Sequence, residues 1–399
     1  MPSTERDPCI SLLRELVSID SVNPSLVPGA AGERAIADTI AAHLRKMHLD
    51  VTVREVAPDR PNVVGVLQGT EPGPSLMLCG HVDTVGVEGM RDPFAPVERD
   101  GRLYGRGAQD MKGGVAAMID AVRVAAERGF TTGRLIVAAV VDEEYASVGA
   151  DALVSEWSAD MAVVTEPTDL QIAVGHKGFA WLKVITHGRA AHGSRPAEGR
   201  DAILRMGRVL SRLEALDRTL QSRPPHPVMG TGSLHASVIN GGRELSSYPD
   251  RCVLMIERRT TAAEPADEIE REMREIIATL KQEDEEFDAE ARLEFSRPPY
   301  ELPTGHPLPA ALAAASSAKN AAPAGMTFWT DAAVLGAAGI PTVLFGPGGA
   351  GLHSVEEYVN VSDVIACRDA LASLALNLKT LGGDHPRPNG TRTRIQPTS

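Results

Sequence analysis

At 399 residues the chain is too long for one ordinary domain and comfortable for two. Its composition, 43% apolar and 23% charged, is that of a folded protein whose core needs no disulfide staples. With 53 acidic against 40 basic residues the formal charge is −13, a count that leaves out any metal; it argues against nucleic acid or an anionic membrane as partner.

Apolar residues recur at helical spacing over 7–18 and again over 32–47. Strand-like segments follow at 51–56, 62–67 and 75–79, the last a short apolar run of the buried kind. A helix over 112–127, a strand over 134–141, a helix near 148–156 and a strand over 161–165 complete an alternation that implies an α/β sheet covered by helices. Around Lys177-Gly178 the pattern changes. Residues 180–187 alternate, a helix is expected at 198–214, strands at 232–239 and 250–258, and a charged helix at 265–282. That β-α-β-β-α-β order is expected to be a smaller module with an antiparallel sheet. The α/β character returns with a helix at 307–318, a strand at 341–345 and a helix at 362–380. The expected divisions are 1–177, an inserted module 178–293, 294–381, and a disordered tail 382–399 rich in Pro, Arg, Thr and Gly.

Cys9, Cys79, Cys252 and Cys367 are far apart and form no Cys-x-x-Cys pair, which suits reduced thiols and a cytoplasmic setting. The first residues lack a basic-then-apolar signal layout, and no apolar run approaches the roughly 20 residues needed to span a bilayer.

Chemistry in an open α/β sheet belongs at the carboxyl ends of its strands, and five such ends carry acidic or imidazole side chains. Cys79-Gly80-His81-Val82-Asp83 offers a neutral imidazole, a common zinc ligand, with Asp83 either pointing alongside or polarising it from behind. Gly105-Arg106-Gly107-Ala108-Gln109-Asp110-Met111-Lys112-Gly113-Gly114 opens a helix, where Asp110 is either a ligand or an N-cap. A phosphate-cradling reading of that loop fails for lack of the required glycine and Gly-Lys-Ser/Thr pattern. Asp142-Glu143-Glu144 ends an apolar strand; exposed, it is solvated charge, and buried, it needs a cation. Thr165-Glu166-Pro167 and Gly351-Leu352-His353-Ser354 complete the set. Two metals take about six to eight protein contacts. His81, Asp110, Glu144, Glu166 and His353 meet that need if Asp110 bridges, and the nitrogen-and-oxygen donors suit zinc, with cobalt or manganese as substitutes. Glu143 is then the carboxylate outside the ligand set, placed as a general base requires.

In this order, the Gly-His-Val-Asp, Gly-Arg-Gly-x-x-Asp-Met-Lys-Gly-Gly, Asp-Glu-Glu, Thr-Glu-Pro and late Gly-x-His-Ser motifs resemble the di-zinc family of acetylornithine deacetylase, succinyl-diaminopimelate desuccinylase, aminoacylase and glutamate carboxypeptidase. The resemblance spans nearly the whole chain, residues 5–380. It implies a catalytic domain with a mixed sheet between helices, interrupted by an α+β lid and dimerisation domain. It implies that His81 and Glu166 hold one zinc, Glu144 and His353 the other, with Asp110 bridging through a cis Asp110–Met111 peptide. Asp83 is then the residue that orients His81, and Glu143 the acid/base. His192, in Ala191-His192-Gly193-Ser194, matches a histidine that reaches the partner subunit's active site in a homodimer, although taken alone it reads as an exposed loop residue. Arg259 matches an arginine that grips the substrate carboxylate, a bidentate task for which Arg258 competes. Thr330-Asp331 and the glycines around Gly348 match substrate-pocket segments. The chain departs from the family pattern at Glu244-Leu245-Ser246-Ser247-Tyr248-Pro249, where many relatives carry an asparagine; Asn240, upstream, is the candidate replacement.

The expected activity is therefore metal-dependent hydrolysis of an amide in a small N-acyl amino acid with a free carboxylate. The alternatives are a dipeptidase or carboxypeptidase of the same chemistry, and a non-catalytic binding relative. A nicotinamide-dependent oxidoreductase is disfavoured by the missing Gly-x-Gly-x-x-Gly.

Overall fold

The computed structural model describes residues 7–262, 264, 266–316 and 323–381. The tail expected at 382–399 lies outside the described residues. Two compact units emerge, one from 7–172, 303–316 and 334–381, the other from 173–302 and 323–333.

The first unit is built on a mixed sheet in the spatial order Asp50–Ala57, Arg60–Gln68, Thr132–Val140, Glu71–His81, Met161–Val164, Thr342–Leu344. The last four run parallel, and the first two join antiparallel. Residues 75–81 and 135–140 are buried without interruption, as central parallel strands must be. Helix Gly113–Glu127 packs against them and is apolar nearly all round. Its second residue, Gly114, lies so close to the Thr165 carbonyl that a side chain there would collide with it. A small antiparallel sheet of Gly349–Ala350, Tyr358–Asn360, Arg102–Tyr104 and Val97–Arg99 was not read from the sequence. Its strands are two or three residues long, too short for a periodic signal. It joins the chain before Asp110 to the chain after His353.

The second unit holds a four-stranded antiparallel sheet in the order Ser233–Gly241, Arg251–Thr260, Gly178–His187, Asp288–Arg297. Alternate residues, among them Leu182, Val184, Leu254 and Ile256, form a core with helices Ala202–Ser222 and Ala266–Glu283. The first of these helices starts at Ala202 rather than 198, because the Asp201 carboxylate accepts from Leu204 N at 2.9 Å and caps it. Short strands Ala173–His176, Tyr300–Glu301 and Ala324–Met326 pair with one another in the same unit. Among the described residues no helix is long and apolar enough to cross a membrane.

Candidate active site

Strand Glu71–His81 delivers His81 almost fully buried. Its Nδ1 faces the Asp83 carbonyl at 3.0 Å and the Asp83 carboxylate at 3.6 Å. Its Nε2 faces Asp110 Oδ1 at 3.2 Å, Glu166 Oε1 at 3.8 Å and Glu143 Oε2 at 3.9 Å. From the other side His353 Nε2 lies 3.3 Å from Asp110 Oδ2 and 3.1 Å from Glu144 Oε2. Each Asp110 oxygen thus faces a different imidazole. Ligand atoms of His81, Asp110 and Glu144 lie within 4.8 Å of one another, as do those of His81, Glu143 and Glu166.

The local chain explains each placement. Asp110 does not cap the helix: the residue at the helix start is Lys112, two positions later, and no side chain caps the helix there. The Asp110–Met111 peptide is cis. The capping alternative is thereby overturned, because the carboxylate is turned toward the imidazoles instead. Within Asp142-Glu143-Glu144 the three residues part company. Asp142, at a φ of 70°, folds back onto Arg60 at 2.8 Å and Asn23 at 3.1 Å. Arg60 also pairs with fully buried Glu33. The backbone N–H groups of Glu143 and Glu144 both donate to Asp83, at 3.1 and 3.2 Å, and Asn23 adds a third bond at 2.8 Å. Asp83 therefore fixes His81 on one side and the Glu143–Glu144 turn on the other. Glu166 is held where Gly114 and Gly346 back directly onto the Thr165–Glu166 main chain.

This gathering of acids leaves a charge problem inside the fold. Burial, then the neighbouring Asp110 charge, pushes Glu144 up to about 7, and its Oε1 is buried with no hydrogen-bond partner. Burial opposes ionisation of Asp110 too, yet hydrogen bonds from His353 and His81 hold its carboxyl well below the usual range. Asp110 and Glu144 raise the His353 imidazole to about 10. Burial works against a charged His81, but Asp110, Asp83 and the two glutamates hold its pKa well above the usual value. Without cations, protons do the neutralising. An orphaned carboxylate oxygen and a donor set of two imidazoles with three or four carboxylates fit two divalent cations of the zinc, cobalt or manganese type.

The remaining candidates fall elsewhere. Gly348 is buried in the first unit, backed against the Asp169 and Asp363 carboxylates. His192, Asn240 and Arg259 belong to the second unit. Asn240 is exposed on edge strand Ser233–Gly241. His192 is exposed; Ser194 N–H donates to its Nδ1 at 3.2 Å, which leaves the proton of a neutral ring on Nε2. Strand alternation separates the two arginines: Arg258 is buried in pairs with Glu264 and Glu272, whereas Arg259 is on the opposite face, half-buried and paired with Glu257. Thr330 and Asp331 are buried. Sequence reading missed Asn23, Arg60 and Glu357, whose partners around the site are distant in sequence and leave no local motif.

An open sheet holds its ligands at the carboxyl ends of its strands, where this cluster lies. The model of peptidase family M20/M25/M40 matches residues 77–377, and the chain belongs to that family. It is 31% identical to acetylornithine deacetylase of Myxococcus xanthus, over 90% of this chain and 94% of that one. It is 30% identical to N-formyl-4-amino-5-aminomethyl-2-methylpyrimidine deformylase of Bacillus subtilis, over 90% and 92%. In fold it matches a tripeptidase from Staphylococcus aureus with a TM-score of 0.79 at 22% identity, covering 94% of this chain and 98% of the other. The chain is a hydrolase of the amidohydrolase and peptidase kind.

Proposed function

We propose that the chain removes the acyl group from a small N-acyl amino acid bearing a free carboxylate, using two divalent cations, zinc by preference. The observation that carries the reading is Asp110, whose two oxygens face His81 and His353 separately, as a shared ligand requires. His81 and Glu166 complete one cation site and Glu144 and His353 the other. Once bound, such cations supply Lewis acidity and lower the pKa of a water from about 15.7 toward about 7.

The chain's own residues do the rest. Asp83 holds His81 through Nδ1, leaving Nε2 for the cation. Glu143 takes the proton of the attacking water and returns it to the leaving nitrogen, its backbone pinned by Asp83. Arg259 pairs with the substrate carboxylate, with Asn240 and the Gly348 main chain as further substrate contacts. His192 is supplied by the partner subunit of a homodimer, and its Nε2–H donates to the developing oxyanion. Buried thiols at all four cysteines support a cytoplasmic setting.

A dipeptidase or carboxypeptidase would use the same atoms. Deacylation is preferred because two curated relatives that match about nine-tenths of the chain are named for removing acetyl and formyl groups. The test is Glu143→Gln assayed on N-acetyl amino acids and dipeptides side by side. Two cations retained with turnover down about 10²–10⁴-fold supports the general-base role; unchanged turnover removes Glu143 from the mechanism. Wild-type protein that cleaves dipeptides and spares N-acetyl amino acids replaces the deacylase with a peptidase.

A further inference from the structure

Glu357 is a carboxylate with no part in the mechanism above, yet it is 1% exposed and its hydrogen-bonding capacity is fully engaged. Its Oε1 accepts from Gln109 N at 2.9 Å and from Asp110 N at 3.1 Å. Its Oε2 accepts from Gly107 N at 2.9 Å and from the Arg106 guanidinium at 2.7 Å. Its carbonyl accepts from Gly105 N at 3.2 Å. One side chain thus gathers the main chain of the loop that ends at Asp110. Arg106 closes the circuit by donating to the Ser354 carbonyl at 3.0 Å, next to His353. The segment that presents His353 is therefore also the clamp on the loop that presents Asp110.

We propose that Glu357 is a positioning residue that sets the spacing between Asp110 and His353, and so the affinity of the cation site that these two share with Glu144. Burying a carboxylate is costly unless donors surround it. Four donors, one of them charged, do so here, which ties its location to this loop conformation. A glutamine has a single acceptor oxygen, and its NH₂ would confront main-chain N–H groups that need acceptors. The other cation site depends less on the clamp. His81 is fixed by its strand and Asp83, and Glu166 by the glycines packed behind it.

The inference rests on Asp110 being shared by two cations. The experiment is stepwise zinc affinity of the full chain, measured by competition with a chromophoric chelator, for wild type and Glu357→Gln, with cation-free melting in parallel. Outer-shell ligand partners change affinity about 10–100-fold. The expected result is a weaker zinc step reduced about tenfold or more, a tighter step changed less than about threefold, and kcat restored at saturating zinc with KM unmoved. Equal loss in both steps that tracks a lowered melting temperature means general loosening and overturns the proposal, as does no change in either step. Should Glu357→Gln fail to fold, Arg106→Gln decides. It cuts the tie to Ser354 while leaving three main-chain donors on Glu357, and it should weaken the same step by about threefold; an unaltered step overturns the proposal. Fewer than two zinc ions on wild type overturns the shared-ligand reading itself, a different outcome from two ions that ignore Glu357.

Discussion

Zinc added to the cation-free chain at pH 7 must drive protons out. Asp110 and Glu144 hold the His353 imidazole at about 10, so it is charged at pH 7. His81 is held well above its usual value by Asp110 and Asp83 against the effect of burial, and is charged as well. Glu144, lifted to about 7 by burial and by Asp110, is about half protonated. A cation accepts only the unprotonated ligand. From these side chains, filling both sites releases one proton from His81, one from His353 and about half of one from Glu144, between two and three, and a bound water that ionises adds to that number. The Glu144 share shrinks as pH rises above 7 and grows as pH falls below it. Titration calorimetry in buffers of different ionisation enthalpy reads this number as the slope of heat against buffer enthalpy. His353→Ala should lower it. Release of less than one proton at pH 7 would refute the charge assignment, and with it the claim that protons stand in for cations in this cluster.

Three further outcomes follow from particular contacts. Arg60→Met strands the buried Glu33 and Asp142 carboxylates and should cost about 3–5 kcal/mol in urea unfolding, with part recovered by adding Glu33→Gln; a loss below about 1 kcal/mol would contradict the network. His176, buried between Tyr300 and Trp329, has its pKa lowered by burial to about 4. Its folded value lies below the unfolded value of about 6.5, so its stability contribution is whole above pH 6.5 and is lost as pH falls toward 4. At about 1.4 kcal/mol per unit the loss is about 3 kcal/mol, and His176→Phe should flatten that limb; an unchanged acid slope would refute it. His192→Ala should cut turnover about 10²–10³-fold with cation content unchanged, and an unaffected rate removes the histidine from the oxyanion.

The sheet of the first unit and the strand-end acids were legible because buried parallel strands announce themselves as apolar runs, and a carboxylate or imidazole directly after one stands out. What the alternation of Arg258 and Arg259 meant was decided only by the register, which turns one onto the helix-covered face with Glu264 and Glu272. Sequence reading gives Asp142 no role, and a positive φ with Arg60 as partner takes it away from the cluster. Glu357 was illegible because its partners lie some 250 residues earlier, and the two-to-three-residue strands that bring it there carry no periodicity. The Asp110 turn defeated local rules for a related reason: its conformation answers to Glu357 and the imidazoles rather than to helix capping.

The most direct test of the central claim is hydrolysis of N-acetyl amino acids and dipeptides by the purified chain, before and after chelation and after zinc return, with bound metal counted at each stage. The account predicts two zinc ions per chain, cleavage abolished by chelation and restored as the second equivalent binds. Cleavage that survives complete removal of metal, or a chain that binds no zinc and cleaves nothing, would contradict it.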